Sequence, residues 1–227
     1  MGDWGLYIVL LVPTLLLGLG VQWWLKRTFA RYSNIELVAG LTGADVARQI
    51  LDRNGLSDVP VDRADGGSLS DNYDPRKRAL HLSPPVYDPK TVAAAAVAAH
   101  ESGHALQHAS GYTALRLRSA MFPVVAIAST TWIWILIAGV LLNALNLITL
   151  AIVIYAVAVA FHLVTLPVEF NASRRASAQL RTLGLVGATE GGGVTKVLNA
   201  AAMTYVAGAL AALSQLLYYL LVFFGDD

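Results

Sequence analysis

Four stretches of this chain are each long and apolar enough to cross a lipid bilayer, and they constrain the fold before any other feature. A helical crossing needs about 20 apolar residues. Residues 4–25, 121–142, 147–166 and 198–224 meet that need, and no Asp lies in any of them. The short 143–146 link makes the second and third spans a helical hairpin. Asp3 before the first span, Lys26 and Arg27 after it, and the lack of an A-x-A cleavage pattern favour a retained anchor over a signal peptide. Only 14% of residues are charged, against roughly 25% for soluble domains. That excludes a disordered chain and an ordinary water-soluble enzyme. The lack of cysteine excludes a disulfide framework, a zinc ribbon and thiol chemistry.

The placement of charge says more than its total. Of sixteen Lys and Arg, twelve lie in residues 26–118 and four in residues 174–196. None precedes the first span, enters the hairpin link or follows the fourth span, where the chain reads Asp226-Asp227. Four crossings put both basic segments on one side. The positive-inside rule makes that side cytoplasmic and leaves both termini outside. A formal net charge of +1 offers nothing to a nucleic-acid partner.

Residues 26–120 suffice for a small α+β lobe, so the expected fold is a mainly α membrane protein with that lobe on the cytoplasmic face. Thr42 to Asn54 reads as a helix, with Thr42 and Asp45 as a capping box and Gly55 as terminator. Alternating runs between Val59 and Ser83 predict two or three short strands. Asp88-Pro89 reads as a helix start, leading into an Ala-rich helix over 91–110 that Gly111 ends. Residues 167–197 form a second cytoplasmic segment.

The Ala-rich helix carries His100-Glu101-Ser102-Gly103-His104, an HExxH motif. Two His four apart share one helical face and can place two imidazole nitrogens on one zinc ion. Glu101 between them can serve as general base to a water on that ion. A catalytic zinc needs a third protein ligand. His81, His108, His162, Glu169 and Glu190 are the candidates. His108 shares the helical stripe, but a straight helix cannot easily wrap three turns around one ion, so it fits a role lining the cleft. Glu190, beside Gly191-Gly192-Gly193, reads as a loop or helix-start carboxylate. Glu169 sits just past Pro167 at a span's end, where a carboxylate is costly unless paired or metal-bound. A salt bridge to Arg174 or Arg175 is the plainer explanation, but Glu169 is the expected third ligand.

The runs Leu69-Ser70-Asp71-Asn72-Tyr73-Asp74-Pro75, Leu82-Ser83, His100 to His108, Pro167 to Ala176 and Val197 to Val206 carry a resemblance over most of the chain. It resembles the bacterial membrane zinc metallopeptidases of the YugP type, within the glutamate-zincin group. The resemblance implies a zincin-like lobe in the bacterial inner membrane. It also implies one zinc per chain on His100, His104 and Glu169, with Glu101 catalytic. Two positions depart from the pattern. Ser173 stands where thermolysin-like relatives carry an Asp that orients a ligand His, and Asn171 stands where the YugP pattern usually has Asp. Asn171 and Ser173 are neutral substitutes for that role, and Asp71 or Asp74 a charged one.

The expected reaction is zinc-assisted hydrolysis of a polypeptide, with Glu101 moving the proton. His162, Tyr112, Arg174 and Arg175 are candidates to stabilise the oxyanion. Ala79, Leu80, His81 and Leu82 form a strand that an extended substrate could join, or an internal strand of the lobe. With no Asp inside a span, cleavage belongs near the cytoplasmic membrane surface, on juxtamembrane or membrane-associated substrates. The competing class is a non-catalytic zinc-binding scaffold acting through a membrane-protein partner, and a homo-oligomer is compatible with either. A transporter is disfavoured, because His162, Ser214 and Gln215 are too few and too uncharged for an ion route. Those three suit helix–helix hydrogen bonds. Tyr218 and Tyr219 suit interface anchors, and Arg76-Lys77-Arg78 a solvated turn or headgroup contact.

Overall fold

The computed structural model describes residues 3–65 and 70–225. Leu69, which heads one of the quoted runs, and the acidic Asp226-Asp227 pair lie outside the described residues. The elements in chain order are α1 (Asp3–Tyr32), α2 (Gly43–Arg53), β1 (Val61–Arg63), β2 (Asn72–Asp74), β3 (Ala79–Leu82), α3 (Pro84–Tyr87), α4 (Val92–Ala109), α5 (Thr113–Leu141), α6 (Leu145–Thr182) and α7 (Ala188–Phe224). They form two compact units. One gathers residues 1–22, 113–167 and 204–227, the other residues 23–112 and 168–203.

The first unit is helical. Among the described residues, α1, α5, α6 and α7 are long and apolar enough to cross a membrane. Each expected span coincides, to within one residue at its ends, with part of a longer helix. Residues Leu15, Leu16, Ile127, Trp134 and Leu141 are exposed on these helices. Apolar surface on that scale is what lipid covers. Asn143 takes a positive φ of 51° in the turn joining α5 to α6. A Cβ on Gly139 would meet Ile148 Cγ1 at 2.8 Å, so the hairpin needs glycine there. Further along, Tyr155 packs against Trp132 and donates to Gln215 Oε1 at 3.2 Å, while Gln215 Nε2 donates to Tyr219 at 2.9 Å. Tyr155 and Gln215 thus make a bond between α6 and α7, and Tyr219 bonds Gln215 within α7.

The second unit surrounds α4. The capping box on α2 forms as expected, with Asp45 N–H bonded to Thr42 Oγ1 at 3.1 Å and Thr42 N–H to Asp45 at 3.0 Å. Gly55 follows the helix at φ 72°. The sheet has order β1-β3-β2, with β1 parallel and β2 antiparallel to β3. Leu80 and Leu82 of β3 are fully buried, as a central strand requires. Asp88-Pro89 does not start the long helix. Pro84 and Pro85 open the one-turn α3 instead, and α4 begins at Val92, where Thr91 Oγ1 accepts from Ala94 N–H at 3.2 Å. Residues 167–197 are mostly helix too. α6 runs on through Pro167 to Thr182, a short break holds Gly184 at φ 65°, and α7 starts at Ala188.

Alanines make α4 thin. Ala93, Ala94, Ala96, Ala98 and Ala99 have no exposed surface, so neighbours approach its backbone on most sides. The approach is close at Gly103, where an added Cβ would lie 2.6 Å from the Ala172 carbonyl oxygen of α6. Main chain cannot yield there as a flexible side chain would. Gly103→Ala should therefore cost about 1–3 kcal/mol, in the range of overpacking. Gly18→Ala on α1, where an added Cβ has open space, should leave the thermal midpoint unchanged. Thermal unfolding of the two variants in detergent checks the contrast.

Candidate metal centre

The Gly103–Ala172 approach brings α4 and α6 together at the HExxH turn. His100 Nε2 lies 3.1 Å and His104 Nε2 3.5 Å from the same Glu169 oxygen, Oε2. One donor atom from each residue falls within 4.8 Å of the others. Glu169 is 2% exposed, and the His100 and His104 side chains are 12% and 9% exposed. Burial opposes its charge, but hydrogen bonds from both imidazoles outweigh that and hold the carboxylate ionised, well below its usual range.

The outer nitrogens of both rings are bonded as well. His104 Nδ1 lies 3.0 Å from Gln107 Oε1. Gln107 Nε2 donates to the Val168 carbonyl at 2.8 Å and to Asn171 Oδ1 at 3.0 Å. A backbone carbonyl only accepts, so the amide can face it only with nitrogen. Its oxygen therefore faces His104 and Nδ1 must carry a proton, so a metal at the centre would take the Nε2 lone pair in place of the proton that Nε2 directs at Glu169 in the ion-free site. Arg175 Nε donates to the same Asn171 oxygen at 2.9 Å and anchors the far end of the chain. On the other ring, Ser173 Oγ lies 3.1 Å from His100 Nδ1. Two neutral imidazole nitrogens and one carboxylate oxygen form the donor set of a catalytic zinc site with three protein ligands. These residues fit the metal.

Glu101 lies beside this set and is almost completely buried. Burial drives its pKa up to about 7. Charge on Glu169 and Asp71 also raises it, opposed by His100 and by the Tyr73 backbone N–H that donates to it. In the ion-free site this carboxyl holds its proton to near neutrality.

Other residues singled out by sequence fall elsewhere. His108 Nδ1 bonds the Tyr73 hydroxyl at 2.8 Å. His81 lies on β3, 3.8 Å from Asp62. His162 belongs to the helical unit, 3.7 Å from where a Gly208 Cβ would be. Glu190 accepts from Gly187 N–H at 2.6 Å and Val38 N–H at 2.8 Å, which makes it a helix-start carboxylate. Asp71 accepts from Ser83 N–H at 2.7 Å. Asp74 accepts from Arg76 N–H at 2.8 Å in the β2–β3 turn. Both carboxylates are committed to loops rather than to a ligand His. Tyr112 N–H closes the end of α4 on the Gln107 carbonyl. Arg175 is tied to Asn171, and Arg174 lines a separate cavity. Ala79, Leu80, His81 and Leu82 cannot receive a substrate strand, because β1 and β2 already occupy both edges of β3. The edge next to Glu101 is β2. Gln107 was missed in the sequence, although its position one turn beyond His104 on the same face marked it.

A chain with four apolar helices and a buried His-His-Glu centre has the make-up of a membrane metallopeptidase. Residues 7–224 match the family described as "Putative neutral zinc metallopeptidase", and the chain belongs to that family. More particularly, it is similar to "Putative membrane protease YugP" of Bacillus subtilis (strain 168), at 48% identity over 218 residues and 96% of each chain. No solved structure matches it.

Two outcomes follow from this geometry. Gln107→Leu frees the His104 ring from its tautomer lock and should weaken zinc binding about 10–100-fold. Competition with a chromogenic chelator measures it. The raised Glu101 pKa also carries a pH signature. A folded pKa above the ordinary 4.5 means the folded chain binds more protons, so stability falls as pH rises between 4.5 and about 7. Above that window the cost is about 3 kcal/mol at most. Chelated Glu101→Gln should then unfold at higher temperature than chelated wild type at pH about 8, and together with it near pH 4. Equal midpoints at both pH values would refute it.

Proposed function

We propose that the chain is a membrane-embedded zinc metalloendopeptidase that hydrolyses membrane-associated or juxtamembrane polypeptides near the cytoplasmic surface. The observation that carries this reading is the buried Glu101 carboxyl adjoining three convergent ligand atoms. Its substrate is a polypeptide and its setting the bilayer of the bacterial inner membrane, with no part for nucleic acid. The Lys and Arg distribution supports a cytoplasmic active site with both termini outside.

His100, His104 and Glu169 would hold the zinc. When bound, it supplies Lewis-acid activation of water and of the scissile carbonyl. The protein's own residues do the rest. Glu101, as carboxylate, takes a proton from the attacking water and returns it to the leaving amine. A dication close by stabilises its ionised form and opposes the effect of burial. Gln107 and Ser173 keep the two imidazoles aimed, so their nitrogens need not reorganise during the reaction. Among the described residues β2 is the sheet edge next to Glu101, and an extended peptide would pair there, in place of β3, by displacing the Tyr73 N–H bond to Glu101. A purely structural zinc site has no use for such a carboxyl, which weighs against the scaffold reading.

Wild type and Glu101→Gln, purified in detergent, should bind zinc equally and differ in cleaving an unfolded protein, with hydrolysis lost in the variant. Equal cleavage by both would reject the mechanism. Glu169→Ala should lower zinc occupancy, and unchanged occupancy would remove Glu169 from the ligand set.

A further inference from the structure

Glu101, Ala105 and His108 recur at i, i+4 and i+7 along α4, which puts them on one face of that helix. The second and third of these, with the buried Leu56 and Val59, line a cavity of about 240 Å³. Tyr73 and Arg78 supply its polar rim. Every lining residue belongs to the second unit, as Glu101 does.

Tyr73 links the cavity to Glu101. Its backbone N–H donates to the Glu101 carboxyl, while its hydroxyl meets His108 Nδ1 at 2.8 Å. Tyr73 stands opposite Leu80 of β3, whose side chain is fully buried, so its ring projects from the inward face of the sheet. An extended peptide added at the β2 edge would turn every second side chain to that same face. Along the helix axis, Ala105 lies about 6 Å and His108 about 10 Å from Glu101. About two or three extended residues cover that distance.

The lining says which side chain fits. Leu56, Val59 and Ala105 offer hydrocarbon, and the polar groups of the rim are already committed. Arg78 pairs with Asp58 at 3.1 Å, and the Tyr73 hydroxyl is bonded to His108. A charged side chain would shed its water there without gaining an unshared partner. An apolar one leaves water at a gain. The volume is several times the roughly 30 Å³ share of one water, enough for a side chain of Leu or Phe size.

We propose that this cavity receives one large apolar side chain of the polypeptide substrate, within about three residues of the scissile bond, and so sets the cleavage preference. The proposal rests on the peptidase reading and names its substrate class.

Binding and cleavage test it separately, with the full chain in detergent. Zinc-loaded Glu101→Gln, inactive by the mechanism above, should bind a peptide of Ser and Thr with a single Phe about tenfold more tightly than the same peptide with Ala there. Fluorescence anisotropy measures the two affinities. Ala109, at the exposed end of α4, also lines the cavity. Ala109→Phe added to that background should fill the space and erase the difference, with zinc content reporting its folding. Equal affinity for the two peptides, tighter binding of an Asp counterpart, or a difference that survives Ala109→Phe overturns the proposal. Wild type acting on an unfolded protein should cut where a large apolar residue occupies one fixed position, read by mass spectrometry. Ala109→Phe should move that preference to small residues. Cleavage with no preference overturns the pocket and leaves the peptidase standing. No cleavage by zinc-loaded wild type would instead sink the peptidase reading itself, and the preference with it.

Discussion

Everything distinctive about this chain turns on one buried carboxylate held between two imidazoles. An isolated carboxylate at 2% exposure would not remain ionised. Glu169 does, because His100 and His104 both direct a nitrogen at the same oxygen. That arrangement requires α4 and α6 to meet backbone to backbone, which only a glycine at 103 permits. The alanine-rich surface of α4 extends the same requirement along the helix. The helix that carries the HExxH motif is thus defined less by its polar residues than by what its neighbours need to come close.

Orientation of the site is achieved with little negative charge. A carboxylate on a ligand imidazole raises its basicity as well as fixing its tautomer. Here His104 is fixed by an amide, and the amide by a backbone carbonyl and by Asn171. Asn171 in turn accepts from Arg175, so the chain of bonds ends on a cation. Tautomer and direction are secured, while the push toward a more basic nitrogen is not supplied. A carboxylate at position 171 would have brought a third negative charge close to Glu101 and Glu169, with Arg175 placed to pair with it.

Much of this was legible in the residues. HExxH on a helix reports two donor imidazoles on one face with a carboxyl beside them, because helical spacing determines which side chains share that face. Glu169 was conspicuous because carboxylates so near an apolar run are rare. Thr42 and Asp45 announced a capping box, since its bonds lie within one turn. Relations that depend on distant contacts were harder. Ala79 to Leu82 alternates as an edge strand would, yet its partners are decided by where β1 and β2 fold, which local pattern does not encode. Asp88-Pro89 had the form of a helix start, but Ser83 and Thr91 took the two cap positions instead. Gln107 looked like an ordinary polar residue because its role depends on Val168 and Asn171, dozens of positions away.

The separation of the ligands along the chain has a mechanical meaning. His104 lies within α4, and Glu169 comes only after all of α5 and the apolar first part of α6. An ion shared between them closes that loop as a covalent bridge would. Chain-entropy reasoning values such a closure at about 4 kcal/mol for loops of this order. This sequence has no cysteine and so no disulfide with which to tie its segments. A cross-link through a metal at His104 and Glu169 would be a reversible one, present when the metal is supplied and undone when it is withdrawn.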